Sequence, residues 1–213
     1  FAWSGWPCTD APCAEPATPF DLLPILSTPL DNKILVVRPD SLPSGSTYRF
    51  RLEVSDGRAT GVCQVDIVMN VAPVGGAVAI DPADGVAVTD TFEITATGWT
   101  DEDIPLLYSF GYVMPGSDAE TPLTEASNSP STSSILGVGP EAASYQYTVR
   151  VVVSDAYAAS SRADTDVTVR PYVPSASIAE EAGNMLADAA ASSNVQATTQ
   201  LVGAFAASLN VEE

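Results

Sequence analysis

Tyr48-Arg-Phe-Arg-Leu-Glu-Val-Ser-Asp56 and Tyr147-Thr-Val-Arg-Val-Val-Val-Ser-Asp155 match position by position at an offset of 99 residues. Tyr48, Phe50, Leu52 and Val54 align with Tyr147, Val149, Val151 and Val153, so each segment alternates apolar and polar residues and reads as a strand with one buried face. A second alternating run follows each, Val65-Asp-Ile-Val-Met69 and Thr165-Asp-Val-Thr-Val169, and then Pro73, or Pro171 and Pro174. Each copy therefore closes with a hairpin across a Ser-Asp turn and runs into a linker.

A repeat of about 100 residues built from short strands has the size of an immunoglobulin-like or fibronectin-III-like sandwich. The penultimate strand of such a sandwich starts near a tyrosine whose hydroxyl binds a backbone carbonyl just upstream. Tyr48 and Tyr147 take that structural place, with Leu42-Pro-Ser-Gly45 as the expected acceptor loop for Tyr48. The second copy is followed from Pro73 through Val78-Ala-Ile80, Thr91-Phe-Glu-Ile-Thr-Ala96 and Leu106-Leu-Tyr-Ser-Phe-Gly-Tyr112, with Phe92, Ile94, Ala96, Tyr108, Phe110 and Tyr112 pointing inward. Residues 115–134 are rich in Ser, Thr, Pro and Glu without period and read as one long mobile loop. In the first copy Phe1 and Trp3 occupy the middle-strand position, so its opening strands are expected before residue 1 and Trp3 in its core.

Beyond Pro174 the spacing becomes helical, first Ile178, Ala182, Met185, Leu186 and Ala189, then Leu201, Val202, Phe205 and Leu209. Ser177 with Glu180 forms a capping box and Asn194 suits the second N-cap. Neither helix is stable alone, and the pair is expected to dock, with a domain beyond Glu213 preferred over the preceding sandwich. The predicted architecture is mainly β, in three parts: residues 1–72, the C-terminal part of a sandwich; 73–174, a complete sandwich; and 175–213, a helical segment.

Composition narrows the function. The 213 residues carry 27 acidic against 8 basic side chains, a net charge of −19, with no histidine. The eight cations never cluster, which excludes the attraction to phosphates on which nucleic-acid affinity rests and argues against anionic membrane surfaces. Without imidazole, histidine triads and histidine metal sites are absent from this sequence. Hydrophobic residues make up 46%, so the acidity does not signal disorder. The apolar run Leu201 to Leu209 is far shorter than the roughly 20 residues a bilayer crossing takes. A start on Phe1 with neither initiator methionine nor signal core reads as an excerpt of a longer protein.

Cys8 and Cys13 are five apart in a Pro-rich loop, a spacing that a local disulfide closes; the competing reading is free thiols in a reducing compartment. Cys63 has no evident partner. The densest acidic stretch is Thr100-Asp-Glu-Asp-Ile-Pro105, beside Trp99. A solvated acidic turn is the expected reading of it. A Ca²⁺ site using Asp101 and Asp103, completed by Asp155 or by the Asp81–Asp84 turn, is the competing one, because Asp-x-Asp loops supply such oxygens while the twelve-residue loop with its Gly and terminal Glu is missing. No other cofactor is expected. Trp99, at a strand end, is read as packing under its own loop. A carboxylate-pair glycosidase would need aromatic platforms that here turn into cores, and Ser55 and Ser154, beside Asp56 and Asp155, lack a base. No enzyme is expected.

Gly98-Trp-Thr-Asp-Glu-Asp-Ile-Pro-Leu-Leu-Tyr-Ser-Phe-Gly-Tyr112 resembles the receptor-for-egg-jelly (REJ) module of polycystin-1-like proteins. Asn70-Val-Ala-Pro-Val-Gly-Gly76 is similar to that module's proline-glycine entry, Leu42 to Phe50 to its Leu-x-Pro-Gly-x-x-Tyr-x-Phe strand, and Phe1-Ala-Trp3 with Cys8 and Cys13 to its tryptophan-then-cysteine stretch. Gln200 to Asn210 looks like the helical segment that leads toward a GAIN (autoproteolysis-inducing) domain. The resemblance implies an extracellular, non-enzymatic segment of a ciliary or cell-surface protein acting in adhesion, ligand reception or mechanosensing, with other surface proteins and a polycystin-2-like cation channel as partners. The alanine-rich, acidic style suggests a protist or algal member. Two other readings compete: a spacer in a secreted or flagellar-hair (mastigoneme) filament without a channel, and an accessory module of a carbohydrate-active enzyme.

Overall fold

The computed structural model describes residues 1–9, 13, 19–173, 178–191 and 195–209. The expected caps Ser177 and Asn194 lie outside the described residues. The chain divides into two compact units, Phe1–Val71 and Ala72–Glu213.

In the first unit β1 (Ala2–Cys8), β2 (Thr47–Ser55) and β3 (Thr60–Val68) form one antiparallel sheet in that order. Tyr48 and Phe50 are buried with Leu22 and Leu26, and Trp3, Phe20, Leu35 and Leu42 pack on that cluster. Gly5 faces Phe50 across the sheet, and a Cβ there would lie 3.1 Å from the Phe50 ring, so the missing side chain makes room for it. Trp3 is half-buried and its indole N–H donates to Asn32 O at 2.9 Å. Trp6 is the more deeply buried tryptophan, and it projects to the opposite face, across from Arg49.

The second unit is a two-sheet sandwich. One sheet contains β4 (Ala77–Asp81), β6 (Thr91–Thr97) and β9 (Ser131–Ile135). The other has the order β5 (Asp84–Val86), β11 (Ser160–Arg170), β10 (Gln146–Ser154), β7 (Leu107–Val113), β8 (Glu120–Pro122), with β5 and β11 parallel. Period-2 patterning builds the core: Phe92, Ile94 and Ala96 from β6 meet Phe110 from β7 and Val149, Val151 and Val153 from β10, all buried. Tyr108 and Tyr112 pack on the rim of the same cluster.

The stretch 115–134, expected as one aperiodic loop, instead contains β8 and the start of β9. Ser131-Thr-Ser-Ser134 pairs with β6, and Ser134 is buried opposite Phe92. Small hydroxyl side chains fill a tight covered strand without marking a hydrophobic period, which hides it from sequence patterning. The helices α1 (Ile178–Ala191) and α2 (Val195–Leu209) follow. The preference for docking beyond Glu213 is corrected for α2, whose Leu201, Ala204 and Phe205 enter the second unit's own core while Val202 is exposed. Met185 and Leu186 of α1 pack against the same cluster.

Candidate functional site

Two constructions stand out, a glycine-tryptophan clamp and an acidic loop end, and both are built on the segment between β6 and β7. Val74 and Thr100 exchange backbone hydrogen bonds at 3.0 Å. That bridge brings Val74-Gly-Gly76 against Gly98-Trp99. Gly75 and Gly98 both have positive φ, +80° and +74°, a conformation that glycine adopts without a Cβ penalty. A Cβ on Gly76 would stand 2.0 Å from the Trp99 ring, so the indole lies directly on the Gly76 backbone. Trp99 is half-buried, packs against the core, and its indole nitrogen is buried without a hydrogen-bond partner in the structure. These contacts give Trp99 a packing role in which no polar function is engaged.

The acidic loop end lies where the segment between β6 and β7 meets the β10–β11 hairpin turn, joined by a hydrogen bond from Ala156 N to Asp103 O at 3.0 Å. Carboxylate oxygens of Asp101, Asp103 and Asp155 lie within 4.8 Å of one another. Asp155 is buried, and its Oδ1 accepts the N–H groups of Tyr157 at 2.8 Å and Ala159 at 3.0 Å, closing the hairpin turn. Asp56 does the same in the first unit, accepting from Arg58 and Ala59 at 2.8 Å. Asp101 Oδ1 accepts from Asp103 N at 2.7 Å. Desolvation, then the charges of Asp101, Asp155 and Glu102, push the Asp103 carboxyl above its ordinary value. The three groups would supply three of the six to eight oxygens that Ca²⁺ takes, the remainder falling to backbone carbonyls and water. Asp84, from the other turn considered, instead pairs with Arg170.

Of the remaining sequence-predicted residues, Tyr147 is buried and its hydroxyl donates to Gly137 O at 3.1 Å, while its ring tilts against Tyr112. Burial pushes its phenol well above the ordinary range. Tyr48 is also buried and packs on Phe20 with ring centroids 5.9 Å apart, but the Leu42–Gly45 acceptor expected for it is not used. Gly45 N and Ser46 O bond Met69 instead. Cys8 and Cys13 form a disulfide with Cα atoms 4.9 Å apart, and Cys13 O accepts from Arg49 Nη1 at 2.6 Å. Cys63 is a free, exposed thiol. Ser55 is a turn residue whose Oγ donates to Ala59 O and accepts from Gly57 N. A surface cavity of about 540 Å³ lies over β7 and β9, lined by Phe110, Leu123, Glu125 and several Ser and Thr residues. Its one titratable lining residue is Glu125, which offers no acid–base pair.

Sequence reasoning missed Trp6 and the burial of Ser134. Trp3 and Trp6 are three apart in a strand, so one had to face away from the other, a signal that was present. No helix is long and apolar enough to cross a membrane among the described residues.

No curated protein matches the chain. A model of the REJ domain matches residues 3–204, and the segments quoted for the resemblance, Val74–Gly76 and Gly98–Trp99, are those that the structure brings into contact. REJ domains are non-catalytic modules of extracellular polycystin-1-like proteins. With nearly its whole length matched, the chain belongs to the REJ domain family.

Proposed function

We infer that this chain is a non-enzymatic, extracellular structural and interaction segment of a polycystin-1-like protein of the cell or ciliary surface, serving adhesion, ligand reception or mechanosensing with a cation-channel partner. The observation that carries this reading is the REJ match over residues 3–204. The residue chemistry agrees with it. Histidine is absent, Ser55 is committed to its turn, and Phe92, Tyr108, Phe110, Tyr112 and Tyr147 of the second unit pack inward or on the core rim; Tyr157 is exposed at the β10–β11 turn, so the described residues assemble neither a nucleophile with its base nor a row of sugar-stacking rings. Nine-residue antiparallel pairing, β2 with β3 and β10 with β11, builds units that present loops at their ends, where partners are met.

Native affinity purification of the parent protein from detergent-solubilised membranes, read by mass spectrometry, tests this. A large membrane-retained chain that arrives with a cation-channel subunit is the expected result. A detergent-independent chain arriving with filament or matrix proteins alone would replace it with the spacer reading.

A further inference from the structure

The first unit repeats the register of the second. Ile67 lies opposite Tyr48 as Val167 lies opposite Tyr147, and Cys63 opposite Leu52 as Ala163 opposite Val151. Directly opposed residues of an antiparallel pair project to one face, so Val54, Cys63, Val65 and Ile67 share the inner face of Tyr48 and Phe50. Burial differs sharply between the copies. Val167 and Val153 are 1% and 0% exposed, whereas their counterparts Ile67 and Val54 are 42% and 38% exposed, and Val65 is 50% exposed.

In the second unit this face is covered. Val78 of β4 and Phe92, Ile94 and Ala96 of β6 close over Val149, Val151, Val153 and Val167 in one buried cluster, and β5 pairs in parallel with β11 from Thr168 to Arg170. In the first unit the described cover, with Phe20, Leu22, Leu26, Leu35 and Leu42, packs on Tyr48 and Phe50 in a cluster that does not include Val54, Val65 or Ile67, and β3 is an edge strand among the described residues. An exposed nine-residue edge bearing Val and Ile is a surface that strands pair with.

We propose that the inner face and outer edge of β3 are a docking surface whose occupant is a pair of antiparallel strands patterned like β4 and β6, carried by the same polypeptide just upstream of Phe1. The repeat selects that occupant. Trp3 lies opposite Leu52 as Phe110 lies opposite Val151, an offset of 107 residues at β1, which places the counterparts of Ala77–Asp81 and Thr91–Thr97 about 10 to 30 residues ahead of Phe1, in chain order with β1. The docking strands carry alternate apolar residues against Val54, Val65 and Ile67. The connection between them pairs in parallel with the β3 edge at Val68, the register counterpart of Thr168.

Cys63 sits on the face in question and is free, so it reports the docking. The parent protein, purified from its native source, and the 213-residue chain are each treated with a maleimide-bearing polyethylene glycol under non-denaturing conditions. Cys63 is expected to react readily in the 213-residue chain and at least about tenfold more slowly in the parent. Equal rates would overturn the proposal. Protection that grows with concentration in the 213-residue chain alone would assign the face to a second copy and also overturn it. As a second measurement, Val65→Asp with Ile67→Asp is expected to leave the thermal midpoint of the 213-residue chain unchanged and to lower that of a chain extended upstream. An equal drop in both would contradict the assignment.

Discussion

At the scale of single residues, the clearest constraint is the absence of a side chain at Gly76. Its Cα hydrogen faces the Trp99 ring, and a Cβ there would overlap it. Gly76→Ala therefore has to displace a large indole that packs on the core, and we expect a loss of about 1–3 kcal/mol in denaturant unfolding. The two corner tyrosines give a contrast. Tyr147→Phe removes a hydrogen bond to Gly137 O in a buried setting and should cost about 1 kcal/mol, whereas Tyr48→Phe removes no hydrogen bond to its corner loop and should cost clearly less on the same assay. Asp103 supplies a third test, with a sign of its own. Its folded-state pKa is raised, so the folded state holds that proton more tightly than the unfolded chain, and stability falls as pH rises from 3.8 through the raised value. Asp103→Asn, measured in excess chelator, is expected to raise the thermal midpoint at pH 7 and to flatten this part of the pH profile. A lower midpoint would mean that the carboxylate is used by something the three-aspartate repulsion does not describe.

At the scale of elements, α2 is the piece whose place was least readable. Its apolar stripe predicted docking, but a stripe does not name its partner, and Phe205 and Leu201 enter the sandwich core next to β9. Phe205→Ala should therefore destabilise the second unit by about 3 kcal/mol, read as a shift in its unfolding transition; a shift confined to the helical signal would contradict that seating. Strands β2, β6, β7 and β10 were legible because apolar residues alternate along them toward a buried face, whereas for β3 and β11 only the C-terminal stretches, Val65–Met69 and Thr165–Val169, carried a readable period. Strand β9 was not, because Ser131-Thr-Ser-Ser134 has no apolar member to mark its inner face although Ser134 is buried. Trp6 escaped for a related reason. It belongs to the outer face, opposite Arg49, where polarity is the usual expectation. The acidic loop was readable from sequence, with Asp155 as one of two candidates to complete it. That Asp155 rather than the Asp81–Asp84 turn meets Asp101 and Asp103 follows from topology, because the β6–β7 segment and the β10–β11 turn emerge at the same end of the sandwich.

At the scale of the whole molecule, the net charge is −19, and among the described residues the short ion pairs sit on sheet faces, Arg49 with Asp66, Arg150 with Asp164, and Arg170 with Asp84, with Arg51–Glu53 and Arg150–Glu120 longer at 3.7 Å. In each short pair the arginine's hydrogen bonds hold the partner carboxyl below the ordinary value. Stability from these pairs is complete above pH 3.8 and is lost as pH falls from there through the depressed values, opposite in sign to the contribution of Asp103. An acid titration of the isolated chain should therefore show loss beginning below about pH 4, the region where free aspartate titrates. The proposed function places both units outside the cell. Antibodies raised against this chain, applied to intact cells that make the parent protein, test it most directly. Labelling of the cell or ciliary surface without permeabilisation, retained through detergent-free washing, is the expected result. Labelling that requires permeabilisation would contradict it.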